Sequence, residues 1–313
     1  MQGLEIARKY FETYGLPMLK QDFPALLPHL AAGLFGSGSE CFGFDDALSR
    51  DHDFEPGFCL FLPGEDEVDR RTAFLLERAY AKLPKEFMGI SRQKMAPVGG
   101  PRRGVFRTAE FFTEKIGSPD GVLSFRDYLS LPENALAEAV NGEIFFDGKG
   151  EVTAVRERLS YYPEEVRLKK LAGHLLLAAQ SGQYNFMRCI RHGEKAAAQL
   201  AANEFVKSAV SVIFLLNKKY QPYYKWCFRA LRALPLLSLD AELLEAVLTG
   251  DNEGENAESK ADLMETVASD LIEELQNQNL TKAVCGDLEK HAYSVNDRIA
   301  DPEIRNLHVL AAV

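Results

Sequence analysis

The sequence predicts an α+β protein in two parts, with strands and helices alternating around a small sheet over 1–155 and an all-helical part over 156–313. Three observations carry this. Short apolar runs bracketed by turn residues, the pattern of buried strands, occur in the first part at Ala31–Phe35, Phe58–Leu62 and Gly104–Thr108. Beyond residue 160 the apolar residues recur at helical spacing and no convincing strand is found. A length of 313 residues, with 46% apolar and 26% charged residues, suits about two globular domains.

The first part opens with Leu4, Ala7, Phe11 and Tyr14 on one helical face, and Gly15 is read as the stop. Ala31-Ala-Gly-Leu-Phe35 ends in the Gly/Ser turn Gly36-Ser-Gly-Ser39. Phe58–Leu62 lies between Pro56-Gly57 and Pro63-Gly64. Val68, Thr72, Leu75, Leu76, Ala79 and Leu83 then share a helical face that Pro84 ends. Residues 88–104, rich in Gly, Pro and basic side chains, read as a loop. A strand over 104–108 and a helix over 109–116, closed by Gly117, follow.

In the second part, helices are predicted over 164–179, 194–216, 222–233, 241–248, 261–276 and 287–299. The acidic, Gly-containing stretch 249–259 reads as a mobile loop between two of them.

Composition excludes several function classes. A net charge of −10 argues against general polyanion binding, which draws its affinity from cationic residues, so nucleic acid is not an expected partner. The five cysteines show no CxxC pair and no zinc spacing, and they read as reduced thiols. The N-terminus lacks the apolar core of a signal peptide, and the longest apolar run, Ala209–Leu216, is too short to span a bilayer. A cytoplasmic protein with no membrane partner is the expectation.

The segment from Leu34 to Asp53 carries the chemistry. A Gly-Ser pair between a strand and a helix presents N–H groups and a hydroxyl to phosphate, so Gly36, Ser37, Gly38 and Ser39 are candidate phosphate ligands. Asp51 and Asp53, two apart on an extended segment, face the same side and suit one hard cation such as Mg²⁺. Phosphate oxygens opposite two carboxylates are a common way of holding that ion during phosphoryl or nucleotidyl transfer. His52 between them points the other way and is read as structural.

This arrangement resembles the signature of the polymerase-β-like nucleotidyltransferase superfamily, with its kanamycin-nucleotidyltransferase-like members: Gly-Ser followed nine to thirteen residues on by Asp-x-Asp. Eleven residues separate Ser39 from Asp51, and thirteen separate Ser37 from it. Five segments are similar to one bacterial family of that superfamily, the one labelled domain of unknown function 4037. They are Gly36–Leu62, Leu83–Gly89, Asn141–Asp147, Arg156–Pro163 and Leu215–Trp226. The resemblance implies an N-terminal mixed-sheet nucleotidyltransferase domain and a helical domain completing a cleft. It also implies Asp51 and Asp53 as catalytic metal ligands for one or two Mg²⁺ ions, an NTP such as ATP as substrate, and a hydroxyl-bearing acceptor that the sequence does not identify.

Active members of the superfamily generally add a third carboxylate from a neighbouring strand, and Gly104–Thr108 carries none. Glu110, Glu143 and Asp147 are the candidates for that role. The departure keeps open a catalytically inactive nucleotide-binding sensor of the same fold. A helical protein-interaction module is the second alternative.

Arg92, Lys94, Arg102, Arg103 and Arg107 read either as a solvated loop or as a basic flap over a polyphosphate, with Arg103 the chosen phosphate ligand. Lys218, Lys219 and Lys225 stand among aromatics read as bundle core, and Lys225 is the lysine chosen to reach a triphosphate. Gln183, Tyr184, Asn185, Arg188 and Arg191 form a polar cluster, read as an acceptor pocket or a solvated helix turn.

Overall fold

A computed structural model describes residues 2–46, 55–92 and 102–313. The chain divides into two compact units, residues 1–123 with 132–160 and residues 124–131 with 161–313.

The first unit is built on a small mixed sheet. Its strands are β1 (Ala31–Leu34), β2 (Cys59–Leu62), β5 (Gly104–Arg107) and β6 (Glu143–Asp147), in the order β5-β2-β1-β6. β1 runs antiparallel to β2 and β6, whereas β2 and β5 are parallel. A parallel pair needs a long crossover, and the Arg70–Ala81 helix lies in that connection. A separate two-stranded hairpin, β3 (Glu86–Phe87) with β4 (Ile90–Ser91), occupies part of the segment expected to be loop. β1 and β2 are buried along their whole length, so alternate side chains feed two apolar faces. On one face Ala32, Leu60 and Leu62 join Tyr10, Leu19 and Leu76 in the core. On the other, Phe61 stacks on Phe35, with Phe111 edge-on to both.

The opening helix does not stop at Gly15. Gly3–Tyr10 runs through a π turn, Phe11–Gly15, into a further helix, Leu16–Asp22. Gly15 has ordinary right-handed helical geometry, and a Cβ there would lie 2.4 Å from the Phe58 ring. The glycine is therefore present for close packing against the residue leading into β2.

The second unit is helical, with no strand among its described residues. Its longest helices are Glu164–Ala178, Lys195–Leu216 and Glu255–Asn277. The first packs on Lys195–Leu216 and on Leu288–Asn296. Lys195–Leu216 is long and apolar enough to cross a membrane, yet 67% of that apolar window is buried inside the protein, as in a core helix.

The expected mobile loop over 249–259 is mostly absent, because a helix begins at Glu255. The short connection left is tied down. The buried ammonium of Lys260 donates to the Gly250 carbonyl at 3.1 Å, Asn252 Oδ1 at 2.7 Å and Gln199 Oε1 at 3.1 Å.

Candidate functional site

The Gly36–Ser39 turn follows β1 and leads into a short 3-10 helix, Glu40–Phe42. Gly36 and Gly38 have φ of +112° and +139°, backbone that a side chain would strain. A Cβ on Gly38 would also lie 2.7 Å from the Glu40 carboxylate.

The turn is held from three sides. Asn141, which ends the Glu133–Val140 helix, accepts from Gly36 N–H at 2.8 Å and donates to the Gly36 carbonyl at 2.9 Å. Arg156 donates at 2.6 Å to the carbonyls of both Val140 and Asn141, and its guanidinium sits over the Phe35 ring. Burial lowers the Arg156 pKa to about 10, which leaves it charged at neutral pH. Gly142 N–H donates to the Cys41 carbonyl. The loop is thus a buttressed element in which, among the described residues, the N–H groups of Ser37, Gly38 and Ser39 take no hydrogen bond.

Two charged side chains that sequence reasoning missed reach this turn. Ser37 Oγ donates to Glu138 Oε2 at 2.6 Å. Lys115 Nζ donates to Ser37 Oγ at 2.8 Å and to Glu138 Oε2 at 2.7 Å. The Lys115 and Glu138 side chains are 20% and 17% exposed, so the cluster is sheltered but open to solvent. Lys115 comes from the last turn of Thr108–Ile116 and Glu138 from Glu133–Val140. Neither lies in a recognisable motif, and only the packing of the two helices brings them to the turn.

The remaining candidates are distributed as follows. Asp51 and Asp53, with His52 and Lys94, lie outside the described residues. Arg103 is buried in an ion pair with Glu40 at 2.8 Å. Arg92 donates to the Pro56 carbonyl and lies over the Tyr80 ring, while Arg107 donates to the Pro63 carbonyl at 2.6 Å. Three arginines of the expected flap are therefore bound into the first unit. Glu143 pairs with Arg8. Asp147 accepts from Gly150 N–H, Thr153 N–H and Thr153 Oγ1, and thereby caps the helix Glu151–Arg158. Glu110 is exposed in the first turn of Thr108–Ile116. The structure brings none of these three carboxylates to the Gly-Ser turn. Lys225 belongs to the second unit, where its ammonium lies 5.1 Å from the Trp226 ring centre.

No group of three or more His, Cys, Asp or Glu side chains suited to a metal ion occurs among the described residues. Burial pushes the Cys59 thiol up to about 12 and the Cys41 thiol well above its ordinary value, so both remain protonated.

A groove of about 550 Å³ in the second unit is lined by Gln180, Gln183, Tyr184, Asn185, Asp287 and Glu289, among others. It contains three members of the polar cluster singled out in the sequence. A groove of similar volume in the first unit is lined by Met18, Phe23, Leu75, Arg78 and Lys82, among others. Neither includes the Gly-Ser turn.

Comparison with known proteins gives two findings. Residues 128–227, about one third of the chain, match the family described as a domain of unknown function, DUF4037. The chain is also similar to a solved nucleotidyltransferase-like protein from Exiguobacterium sibiricum, at 12% identity and a TM-score of 0.38, over 92% of this chain and 80% of that one. No curated protein matches.

Proposed function

We propose that the protein is a nucleotidyltransferase that moves an NMP group from an NTP to a hydroxyl acceptor, with Mg²⁺ as cofactor. The observation that carries this reading is the buttressed Gly36–Ser39 turn, in which the N–H groups of Ser37, Gly38 and Ser39 donate to none of the described residues and the Lys115 ammonium lies beside Ser37. Fixed N–H donors and a cation are what a polyphosphate chain needs. The Gly-Ser to Asp-x-Asp spacing supports the same reading from the sequence.

In this reading the turn binds the β- and γ-phosphates, and Lys115, in place of Arg103, is the cation beside them. Each cation is paired with a carboxylate, Lys115 with Glu138 and Arg103 with Glu40, but Lys115 also donates to Ser37 Oγ in the turn itself. Asp51 and Asp53 are the residues that would hold Mg²⁺, and carboxylate oxygens are the ligands that ion prefers. When bound, the ion would neutralise charge on the phosphates. The protein's own part is to fix the polyphosphate by N–H groups that cost no reorganisation when it arrives.

The test is thermal unfolding of the wild type, Lys115→Met and Asp51→Asn/Asp53→Asn with each NTP, with and without Mg²⁺, while pyrophosphate is followed. A ligand at about 100 times its dissociation constant adds roughly 2.7 kcal/mol. The expected result is a Mg²⁺-dependent stabilisation by at least one NTP that both variants weaken, with pyrophosphate released once an acceptor is supplied. No stabilisation by any NTP overturns the reading.

A further inference from the structure

We infer that Ser37 is an activated nucleophile toward electrophilic phosphorus, with Glu138 as its general base and Lys115 as its positioning residue. The inference rests on the Ser37–Glu138–Lys115 geometry and requires no nucleotide site.

A serine hydroxyl has one proton to donate and two lone pairs. The proton of Ser37 points to Glu138 Oε2 across 2.6 Å, within proton-transfer distance. One lone pair accepts from Lys115 Nζ at 2.8 Å. The other is left for attack. Lys115 also holds the same Glu138 oxygen at 2.7 Å, which fixes the base against the hydroxyl it serves. Nucleophile, base and a third group orienting the base form the arrangement that makes an ordinary serine reactive. The half-buried position of Ser37 admits a reagent, and the Asn141 clamp on Gly36 restrains the backbone that carries it.

The substrate class follows from the surroundings. The N–H groups of Gly38 and Ser39 and the Lys115 ammonium favour a centre that carries anionic oxygens, so a phosphate ester or anhydride is favoured over a neutral acyl group. In the step, the Ser37 Oγ–P bond forms as the bond from phosphorus to its leaving group breaks. The leaving group departs with that electron pair, and Glu138 accepts the hydroxyl proton. The product is a phosphoserine diester or monoester on the chain.

A fluorophosphonate probe tests this directly, because its P–F bond breaks to release fluoride and leaves a stable adduct located by peptide mass. The expected result is an adduct on Ser37 of the folded wild type that forms faster than any serine adduct on the urea-unfolded chain and is lost in Ser37→Ala. Glu138→Gln should slow labelling by about 100-fold or more. Lys115→Met should slow it, and Lys115→Arg should restore part of the rate. Should Glu138→Gln not fold, Glu138→Asp keeps the charge and withdraws the carboxylate by one methylene, and it should also slow labelling. Labelling of Ser37 no faster than in the unfolded chain, or a folded Glu138 variant that labels at the wild-type rate, overturns the inference. Either result leaves NTP stabilisation as a separate measurement, so failure here and failure of the nucleotidyltransferase reading are distinguishable.

Discussion

Arg103 donates to Glu40 at 2.8 Å, and the two side chains are 3% and 7% exposed. The pair joins the residue following the Gly-Ser turn to the residue preceding β5, so it fixes one side of the turn within the first unit. A buried pair adds little net stability, because desolvation offsets the attraction, but removing one partner leaves a buried charge and costs about 3–5 kcal/mol. Glu40→Gln and Arg103→Met should each lower the unfolding free energy by that order. The double variant Glu40→Gln/Arg103→Met should recover part of the loss, which a double-mutant cycle by urea denaturation would measure. Additive losses would show that the two charges are not coupled.

Asn141 offers a finer test of the same turn. Its amide satisfies both the N–H and the carbonyl of Gly36, and alanine would leave both groups without their partner, at roughly 1–3 kcal/mol. Asn141→Ala should accelerate hydrogen exchange at the Gly36 amide while amides within the buried β2 keep their protection. Unchanged exchange at Gly36 would mean that the turn is rigid without the clamp.

The sequence showed β1, β2 and β5 as short apolar runs between turn residues, and the principal helices as apolar residues at helical spacing. It did not show that Gly15 lies inside a helix. As a local signal it looks like a stop, and its reason for being glycine is the Phe58 ring 43 residues away. β6 was missed as a strand, and its half-buried Glu143–Asp147 lacks a clean alternation. At the site, Gly36–Ser39 was legible as a turn, because glycine supplies the positive φ that Gly36 and Gly38 adopt, and its reading as a phosphate loop came from the spacing to Asp51 and Asp53. Lys115 and Glu138 were not, since each is an unremarkable charge on an amphipathic helix until the two helices pack. The same limit applied in reverse to Arg103. A basic, glycine-rich stretch suggests a solvated flap, and only the fold places Glu40 against it.

Lys169 should be a strong determinant of stability in the second unit. Its buried ammonium donates to Asn296 Oδ1 at 2.9 Å and to the carbonyls of Arg305 and Leu307 at 3.2 and 2.6 Å. One side chain thus gathers the end of Leu288–Asn296 and the segment around residues 305–307 onto Glu164–Ala178. Methionine has similar reach but no donors, and it would leave three acceptors to find water. Lys169→Met should cost on the order of 3 kcal/mol and raise protease susceptibility in residues 305–313. A variant as stable as the wild type would show that water replaces the ammonium freely.

Asp240 sets a pH dependence of opposite sign to that of an ordinary ion-paired carboxylate. It is 3% exposed, and its pKa is raised to about 7, first by burial and then by the charge and hydrogen bond of Asp270. In the unfolded chain it ionises near pH 4. The folded state therefore holds a proton that the unfolded state releases between about pH 4 and pH 7. Its contribution is complete below about pH 4 and is lost as pH rises toward 7. Asp240→Asn keeps the shape without the charge. Relative to the wild type it should gain stability with rising pH, reaching roughly 1–3 kcal/mol above pH 7 and little below pH 4. Urea denaturation of both proteins at pH 4, 5.5 and 7.5 measures the difference directly, and a difference independent of pH would mean that burial beside Asp270 does not raise the Asp240 carboxyl.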